Sequence, residues 1–215
     1  MANAQKLHID ISEYNEGSLA EALADLIEKN EIAYGRSRIT FSDESPSAIW
    51  SGEGERRTTL SIITAQRRAI PEHYKLAFSP RRVNTTSPLV GIKSCNYLEH
   101  LIAHDEAKAR GSDEAIRLNE RGEVTSACMA NVFWLKGGRL YTPSPKTGCL
   151  AGTTREFVLE NIDCEEVEAG EEAIREADEI FLTSAGIGVV QAAEFDGRTM
   201  EQGPHKILDI VPKPI

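Results

Sequence analysis

The chain has 215 residues, of which 40% are hydrophobic and 27% are charged, so it can bury a sizeable core as one large domain or two small ones. Its formal net charge of -10 and its isolated basic pairs argue against nucleic acid as a partner. The opening residues lack the apolar core of a signal peptide, and no stretch reaches the roughly 20 apolar residues of a membrane span. We therefore expect a cytoplasmic protein with no membrane partner.

The thiol and imidazole side chains do not form a recognisable metal motif. Widely spaced cysteines without a C-x-x-C pair favour reduced thiols over a zinc site or a disulfide framework. They are Cys95, Cys128, Cys149 and Cys164. His100 and His104 lie four residues apart, which is a metal-ligand spacing, but the H-E-x-x-H glutamate is missing. We interpret these two histidines as part of a solvated helix face, opposite the apolar Leu98 and Ile102, and predict no metal.

Residues 1–66 are predicted to form a small α+β domain. From Ser18 onward, leucines recur on one face of an amphipathic helix, with Ser18 and Glu21 as its capping box. Short strands separated by polar, glycine-containing segments follow at 36–42, 48–51 and 58–65. The polar stretch 67–74 carries a proline and has no clear period, so it is predicted to be a linker.

Residues 75–215 are predicted to form a second, larger domain. Its predicted strands cover 75–83, 115–119, 123–136, 139–143 and 179–184. Its predicted helices cover 93–111, 153–162 and 171–177. Gly111 ends the first of these helices, and Gly137-Gly138 forms a hairpin turn.

Lys93 is the first candidate for chemistry, because it lies just before a predicted helix and between apolar residues. Val90 and Ile92 can partly desolvate its ammonium, which lowers the pKa and makes the free amine a better nucleophile. The alternative is a surface lysine whose aliphatic stem packs on apolar neighbours.

Two turns are candidates for binding an anion such as phosphate. The helix predicted to open after Gly152 offers unpaired amides and the hydroxyls of Thr153 and Thr154, although simple helix capping explains the same pattern. The glycine-rich turn after the last buried strand offers further amides and the Ser184 hydroxyl, with an ordinary tight turn as the alternative.

These features occur in an order that resembles one family. K-S-C-N-Y, V-T-S-A-C-M-A-N-V-F-W, L-Y-T-P and L-A-G-T-T-R resemble the core of the class IV aminotransferases, from about Arg36 to about Val190. That family includes branched-chain aminotransferases, D-amino-acid aminotransferases and aminodeoxychorismate lyases. The resemblance implies an α+β fold of fold type IV, with a small α/β sandwich followed by a larger α/β barrel-like domain. It also implies pyridoxal 5'-phosphate (PLP) as cofactor and a homodimer.

The resemblance assigns roles to individual residues of this sequence. Lys93 would be the catalytic residue, carrying the cofactor and moving a proton at the substrate α-carbon, and Asn131 would have a structural role. Tyr97, expected four residues along the helix, would bind the cofactor's phenolic oxygen, and Leu150 would pack on its ring. The phosphate would be bound by Gly152, Thr153, Thr154, Ser184 and Ala185.

One departure from the family's pattern concerns the cofactor ring. The family has a glutamate five residues before the motif asparagine, where it pairs with the pyridine nitrogen, and this chain has Ser126. A carboxylate keeps that nitrogen protonated, whereas a hydroxyl can only hydrogen-bond a largely neutral ring. Ser126 is therefore a predicted cofactor ligand with altered chemistry. Transamination is expected to suffer more than lyase chemistry.

A second departure is at the start of the chain. The opening residues resemble the helix end that follows the family's first segment, so we expect that segment and its phosphate-binding arginine to be missing. Arg38, near where many members place a cation, is predicted to bind the substrate carboxylate, with a solvated strand residue as the alternative.

Three functional hypotheses follow. The first is a PLP-dependent aminotransferase acting on an amino acid, of branched-chain type, and a 2-oxo acid. The second is a 4-amino-4-deoxychorismate lyase that releases pyruvate. The third is a truncated relative that dimerises without turnover.

Overall fold

The chain divides into two compact units, Met1–Arg68 and Ala69–Ile215, in a computed structural model that describes residues 2–44, 57–67 and 69–210. The boundary falls within residues 67–74. The strand predicted at 48–51 lies outside the described residues. Among the residues that are described, no helix combines the length and apolar character needed to span a bilayer.

The first unit pairs two helices with one antiparallel hairpin. Its elements are α1 (Ala2–Lys6), α2 (Glu16–Lys29), β1 (Gly35–Asp43) and β2 (Thr58–Gln66). Helix α2 begins three residues earlier than a Ser18 cap predicts, because Asn15 is its cap. The Asn15 side chain accepts the Ser18 amide at 3.0 Å, and the Asn15 amide donates to the Ser18 hydroxyl at 3.3 Å. The predicted leucine face is half-buried.

The second unit is built on two five-stranded sheets with helices attached. Its strands are β3 (Lys75–Phe78), β4 (Glu114–Leu118), β5 (Val124–Ala127), β6 (Asn131–Lys136), β7 (Arg139–Pro143), β8 (Cys164–Val167), β9 (Glu179–Ser184), β10 (Gly188–Gln191), β11 (Glu194–Phe195) and β12 (Arg198–Thr199). Its helices are α3 (Leu98–Ala109), α4 (Thr153–Asn161) and α5 (Glu171–Arg175). The strand orders are β12-β11-β3-β4-β5 and β10-β9-β6-β7-β8.

The strand predicted over 123–136 is in fact two strands in different sheets. The chain turns between β5 and β6, where the Ala127 amide donates to the Ala130 carbonyl at 2.9 Å. The buried carboxylate of Glu114 satisfies the turn's amides, accepting from Cys128 at 3.0 Å and from Met129 at 3.1 Å. A continuous apolar pattern conceals this turn, because both strands are buried on both faces.

Strand β3 and helix α3 are shorter than predicted. Strand β3 ends at Phe78, ahead of the Ser-Pro step, and Val83 returns only as an isolated bridge to Asn119. Helix α3 begins at Leu98, so residues 93–97 precede it as irregular chain. Lys93 and Tyr97 are therefore not on the same helix.

The core places α4 against β6 and β9. Phe133, Val158 and Phe181 belong to one cluster, while Trp134 and Ile180 face another. Alternation along the two strands puts Asn131 on the same face as Phe133, at the edge where the sheet meets the start of α4. The polar end of β6 is thereby brought to a helix N-terminus.

Candidate active site

The side chains of Lys93 and Tyr97 meet directly. The Lys93 ammonium donates a hydrogen bond to the Tyr97 hydroxyl and lies 4.7 Å from the centre of its ring. Tyr97 is the residue that caps α3, with φ -98° and ψ 1°. The two residues are thus four apart in the chain and adjacent in space. Irregular chain before α3 brings them together, and not the predicted helical turn.

The Lys93 side chain is accessible to solvent and is also partly desolvated by its neighbours. Its side chain is exposed at the surface, yet the atoms packed around it lower the pKa of the ammonium, while nearby Cys95 acts weakly in the opposite direction. A lower pKa leaves more free amine near neutral pH, which is what a nucleophilic lysine requires.

His100 and His104 are not on a solvated face, so that interpretation was wrong. His100 is half-buried, with its ring 5.5 Å from that of Tyr97, and the His104 side chain is only 14% exposed. The exposed face of α3 carries Leu98 and Ile102 instead. Helical spacing identifies the two faces but does not say which of them is buried.

A buried arginine that the sequence analysis missed lies beside His100. Arg117 on β4 is 1% exposed, and its guanidinium lies 3.4 Å from His100 Nδ1. Burial and the Arg117 charge both lower the pKa of His100, which favours the neutral ring. The sequence does mark this residue, since Arg117 interrupts the otherwise apolar run A-I-R-L.

Ser126 lies directly across the sheet from Arg117. The two are paired in the antiparallel ladder between β4 and β5, so their side chains share one face, the same one that α3 covers. Ser126 is half-buried, unlike its buried neighbours Thr125 and Ala127. The ladder therefore places Ser126 opposite the arginine whose guanidinium lies beside His100.

The predicted anion site is assembled around Gly152. The Asn131 side chain donates to the Leu150 carbonyl at 2.7 Å, and the same carbonyl accepts the Gly152 amide at 2.9 Å. A Cβ at position 152 would lie 2.3 Å from Asn131 Oδ1. Only glycine allows this close approach. Asn131 therefore has the structural role expected of it.

Helix α4 begins at Thr153, as predicted. Gly152 is its cap and offers no side chain, so the first amides of the helix are open to an external acceptor. Thr153 is exposed and Thr154 is half-buried. Arg155 is directed elsewhere, because its buried guanidinium bonds the Pro143 carbonyl and Glu166.

The second predicted anion loop reaches the same edge of the sheet. Thr183 is paired with Asn131 across β9 and β6, so Ser184 follows at the same end of the sheet, where Asn131 bonds the Leu150 carbonyl. Ser184 is half-buried and Ala185 is exposed.

The segments that lead into the two halves of the site also approach each other. A Cβ on Gly148 would lie 3.6 Å from Val90 Cγ2, so the chain just before Lys93 packs near the chain just before Leu150. The residue three positions before Lys93 is therefore a neighbour of the residue four positions before Gly152. Arg38 lies on β1 of the first unit, opposite Ile63 and exposed, and its role with substrate stays a prediction.

Comparison with known proteins identifies relatives of this arrangement. Residues 1–195 match the family model described as amino-transferase class IV. The aminodeoxychorismate lyase of Bacillus subtilis is 29% identical over 181 residues, covering 80% of this chain and 62% of that protein.

Two solved structures extend the comparison to the fold. The branched-chain aminotransferase of Thermoproteus uzoniensis, solved with norvaline, superposes with a TM-score of 0.87 at 27% identity, covering 97% of this chain and 73% of that one. An aminotransferase from Brucella abortus bound to PLP superposes with a TM-score of 0.78 at 26% identity, covering 94% and 75%.

The relatives confirm the expected α+β architecture of fold type IV. The matched part of the chain spans between 36% and 64% of the length of the curated relatives it matches. Since the family model covers most of the sequence, the chain belongs to the class IV aminotransferases.

Proposed function

We propose that the protein is a PLP-dependent aminotransferase that transfers an amino group between a branched-chain amino acid and a 2-oxo acid. The observation that carries this proposal is the contact of the Lys93 ammonium with Tyr97, in a chain whose first 195 residues match the family. Lys93 would hold the cofactor covalently and then move the proton at the substrate α-carbon.

The described residues fit this cofactor. Lys93 is accessible and has a lowered pKa, and Gly152 caps α4 without a side chain, so the first amides of the helix stay open to a phosphate. PLP supplies a conjugated ring that stabilises negative charge on the substrate α-carbon. The half-buried Leu150 would pack on that ring, and Tyr97 would hydrogen-bond its phenolic oxygen.

The phosphate would be bound at the start of α4. The amides of Thr153 and Thr154 stand at the positive end of the helix dipole, and the Thr154 hydroxyl adds a donor. Ser184 and Ala185 would close the other side, since the β6–β9 ladder brings them to the same edge. Arg38 would bind the substrate carboxylate.

The alternative is a 4-amino-4-deoxychorismate lyase that releases pyruvate. The lyase of Bacillus subtilis aligns over 181 residues of this chain, and Ser126 replaces the family's carboxylate at the ring nitrogen. These two observations support the lyase as the second candidate.

Quaternary structure and location complete the proposal. An apolar face on α3, with Leu98 at 65%, Leu101 at 47% and Ile102 at 37% exposure, supports a homodimer in which a second copy covers it. The four free cysteines support a reducing compartment such as the cytoplasm.

Two parallel assays of the PLP-loaded protein test the proposal. Incubation with L-leucine or L-valine and 2-oxoglutarate should yield glutamate and the branched 2-oxo acid, and Lys93→Ala should abolish this. Incubation with 4-amino-4-deoxychorismate should yield little pyruvate. The reverse pattern would replace the aminotransferase by the lyase, and turnover of neither substrate would refute both.

A further inference from the structure

Arg117 is a buried charge whose ion-pair partner, among the described residues, is the exposed Glu99. Its Nη2 donates to the Arg82 carbonyl at 3.2 Å, and its Nε lies 3.5 Å from the Arg81 carbonyl. These neutral acceptors hold the guanidinium in place but leave its charge uncompensated. The arginine is positioned firmly and remains electrically positive.

The carboxylate partner of Arg117 within the described residues is solvent-screened. Glu99 approaches Nη2 to 3.6 Å, but its side chain is 79% exposed. An exposed carboxylate neutralises a buried cation poorly, because water screens the interaction. The Glu114 carboxylate is committed to the amides of Cys128 and Met129.

His100 is a half-buried base that lies directly against Arg117. An arginine can only donate, so at 3.4 Å His100 Nδ1 must accept, which requires a ring without a proton on that nitrogen. The pKa of His100 is lowered, first by burial and second by the Arg117 charge. A basic nitrogen close to this arginine is thus kept unprotonated.

We propose that Arg117, acting across Ser126, keeps the ring nitrogen of the cofactor unprotonated in this protein. The inference rests on the proposed PLP function and on the position of Ser126, which faces the same side of the sheet as its ladder partner Arg117. A nearby positive charge disfavours the protonated form of a base, whereas a carboxylate favours it. The Ser126 hydroxyl can donate to a neutral nitrogen, so serine suits the unprotonated ring.

Several charged or titratable groups surround this position and enter the balance. Glu99 and His100 come from α3, Lys93 precedes that helix, and Glu114 lies on β4 beside Arg117. Among them the carboxylates oppose Arg117. Glu99 is exposed and screened by water, whereas the buried Glu114 keeps its charge while it accepts from the amides of Cys128 and Met129. Arg117 is the charged residue that the β4–β5 ladder places directly opposite Ser126.

The test is the nitrogen NMR shift of PLP labelled with ¹⁵N in its ring. Covalent attachment to Lys93 is first verified by borohydride trapping and peptide mapping. The shift is then followed from pH 6 to 8.5 in the wild type, Arg117→Gln, Arg117→Lys, Ser126→Glu and the Ser126→Glu/Arg117→Gln double variant. Arg117→Gln removes the charge while keeping a donor for the Arg82 carbonyl, and Arg117→Lys retains the charge as the matched control.

We expect an unprotonated nitrogen throughout in the wild type and in Arg117→Lys. Arg117→Gln should raise the nitrogen pKa by about 1 unit or more. The ring nitrogen should be protonated to a smaller fraction in Ser126→Glu than in the double variant, because in the single variant Arg117 pairs with the introduced carboxylate.

A protonated ring nitrogen in the wild type overturns the inference by itself. The inference can therefore be refuted even if Arg117→Gln fails to fold. Equal nitrogen pKa values in Arg117→Gln and Arg117→Lys also overturn it, because they would reduce Arg117 to a structural residue. Absence of attachment to Lys93 refutes the proposed function, and this inference with it.

Discussion

The lysine half and the anion half of the candidate site are constructed by different means. Lys93 and Tyr97 lie in irregular chain ahead of α3 and are joined by one side-chain contact. Gly152 and its neighbours lie where the end of a strand meets a helix start, and the donors offered there are mostly backbone amides. The first half depends on residue identity, and the second depends on backbone geometry. Substitutions should therefore affect the two halves in different ways.

The largest effect is expected in the lysine half. Lys93→Ala should abolish covalent attachment of PLP and the visible absorption band that accompanies it, because it removes the amine. Folding should be preserved, since the side chain is exposed. The control is Lys75→Ala, which removes a half-buried lysine paired with Glu194 at 3.0 Å. Absorption titration with PLP measures both. An unchanged band in Lys93→Ala would place the cofactor on another lysine.

A large effect on both stability and cofactor binding is expected from Gly152→Ala. The new Cβ would meet Asn131 Oδ1 at 2.3 Å, and such overpacking costs about 1–3 kcal/mol. Gly170→Ala is the matched control, because Gly170 caps α5 with the same φ of -79° and its added Cβ would meet nothing closer than 3.8 Å. Urea unfolding and PLP titration compare the two. Equal stability and equal PLP affinity of the two variants would show that Asn131 does not crowd position 152.

Relief of that overpacking gives a sharper version of the same test. In the Gly152→Ala/Asn131→Ala double variant the clashing oxygen is gone, so the two substitutions should cost less together than their sum. The coupling should be about 0.5–3 kcal/mol, the range for residues in contact. A double-mutant cycle by urea unfolding measures it. Strict additivity would contradict the contact between Asn131 and Gly152.

A moderate effect is expected from Thr154→Ala in the anion half. Loss of one donor to the phosphate should cost about 1 kcal/mol, or roughly fivefold in PLP affinity, while the helix amides remain. Thr199→Ala, on the exposed strand β12, is the control and should leave affinity unchanged. Titration of both variants with PLP decides the matter. Unchanged affinity in Thr154→Ala would remove its hydroxyl from the phosphate site.

The smallest effect is a pH dependence in the lysine half. Because burial lowers the pKa of Lys93 below 10.5, its amine loses the proton at lower pH than an unperturbed lysine does. Labelling of the apo protein with acetic anhydride should therefore favour Lys93 over the exposed Lys146 near pH 8. The ratio should fall as the pH rises toward 10.5. Mass spectrometry of the peptides measures it. A ratio that rises with pH would contradict the lowered pKa.

The backbone half of the site was the easier one to predict from sequence. Gly152 followed by two threonines indicates a helix start, and α4 begins at Thr153 as expected. The buried strand ending at Ser184 was equally clear, because its apolar run has the length of a strand. Patterns in a short stretch of sequence predict such elements, because neighbouring residues in the chain determine them.

Long-range features of the site could not be predicted. The role of Arg117 depends on the ladder that pairs it with Ser126 and on the packing of α3, which buries His100. The turn at residues 128–130 depends on Glu114, a residue 14 positions before Cys128. Such contacts join distant parts of the chain, and no periodicity in one segment reports them.

The central claim is that Lys93 carries the cofactor, and peptide mapping after borohydride reduction tests it most directly. PLP is added to the wild-type protein, the adduct is reduced, and the pyridoxyl group is located by mass spectrometry. The account predicts a single dominant label on Lys93, next to the tyrosine that its amine contacts. A dominant label on any other lysine, with Lys93 unmodified, would contradict it.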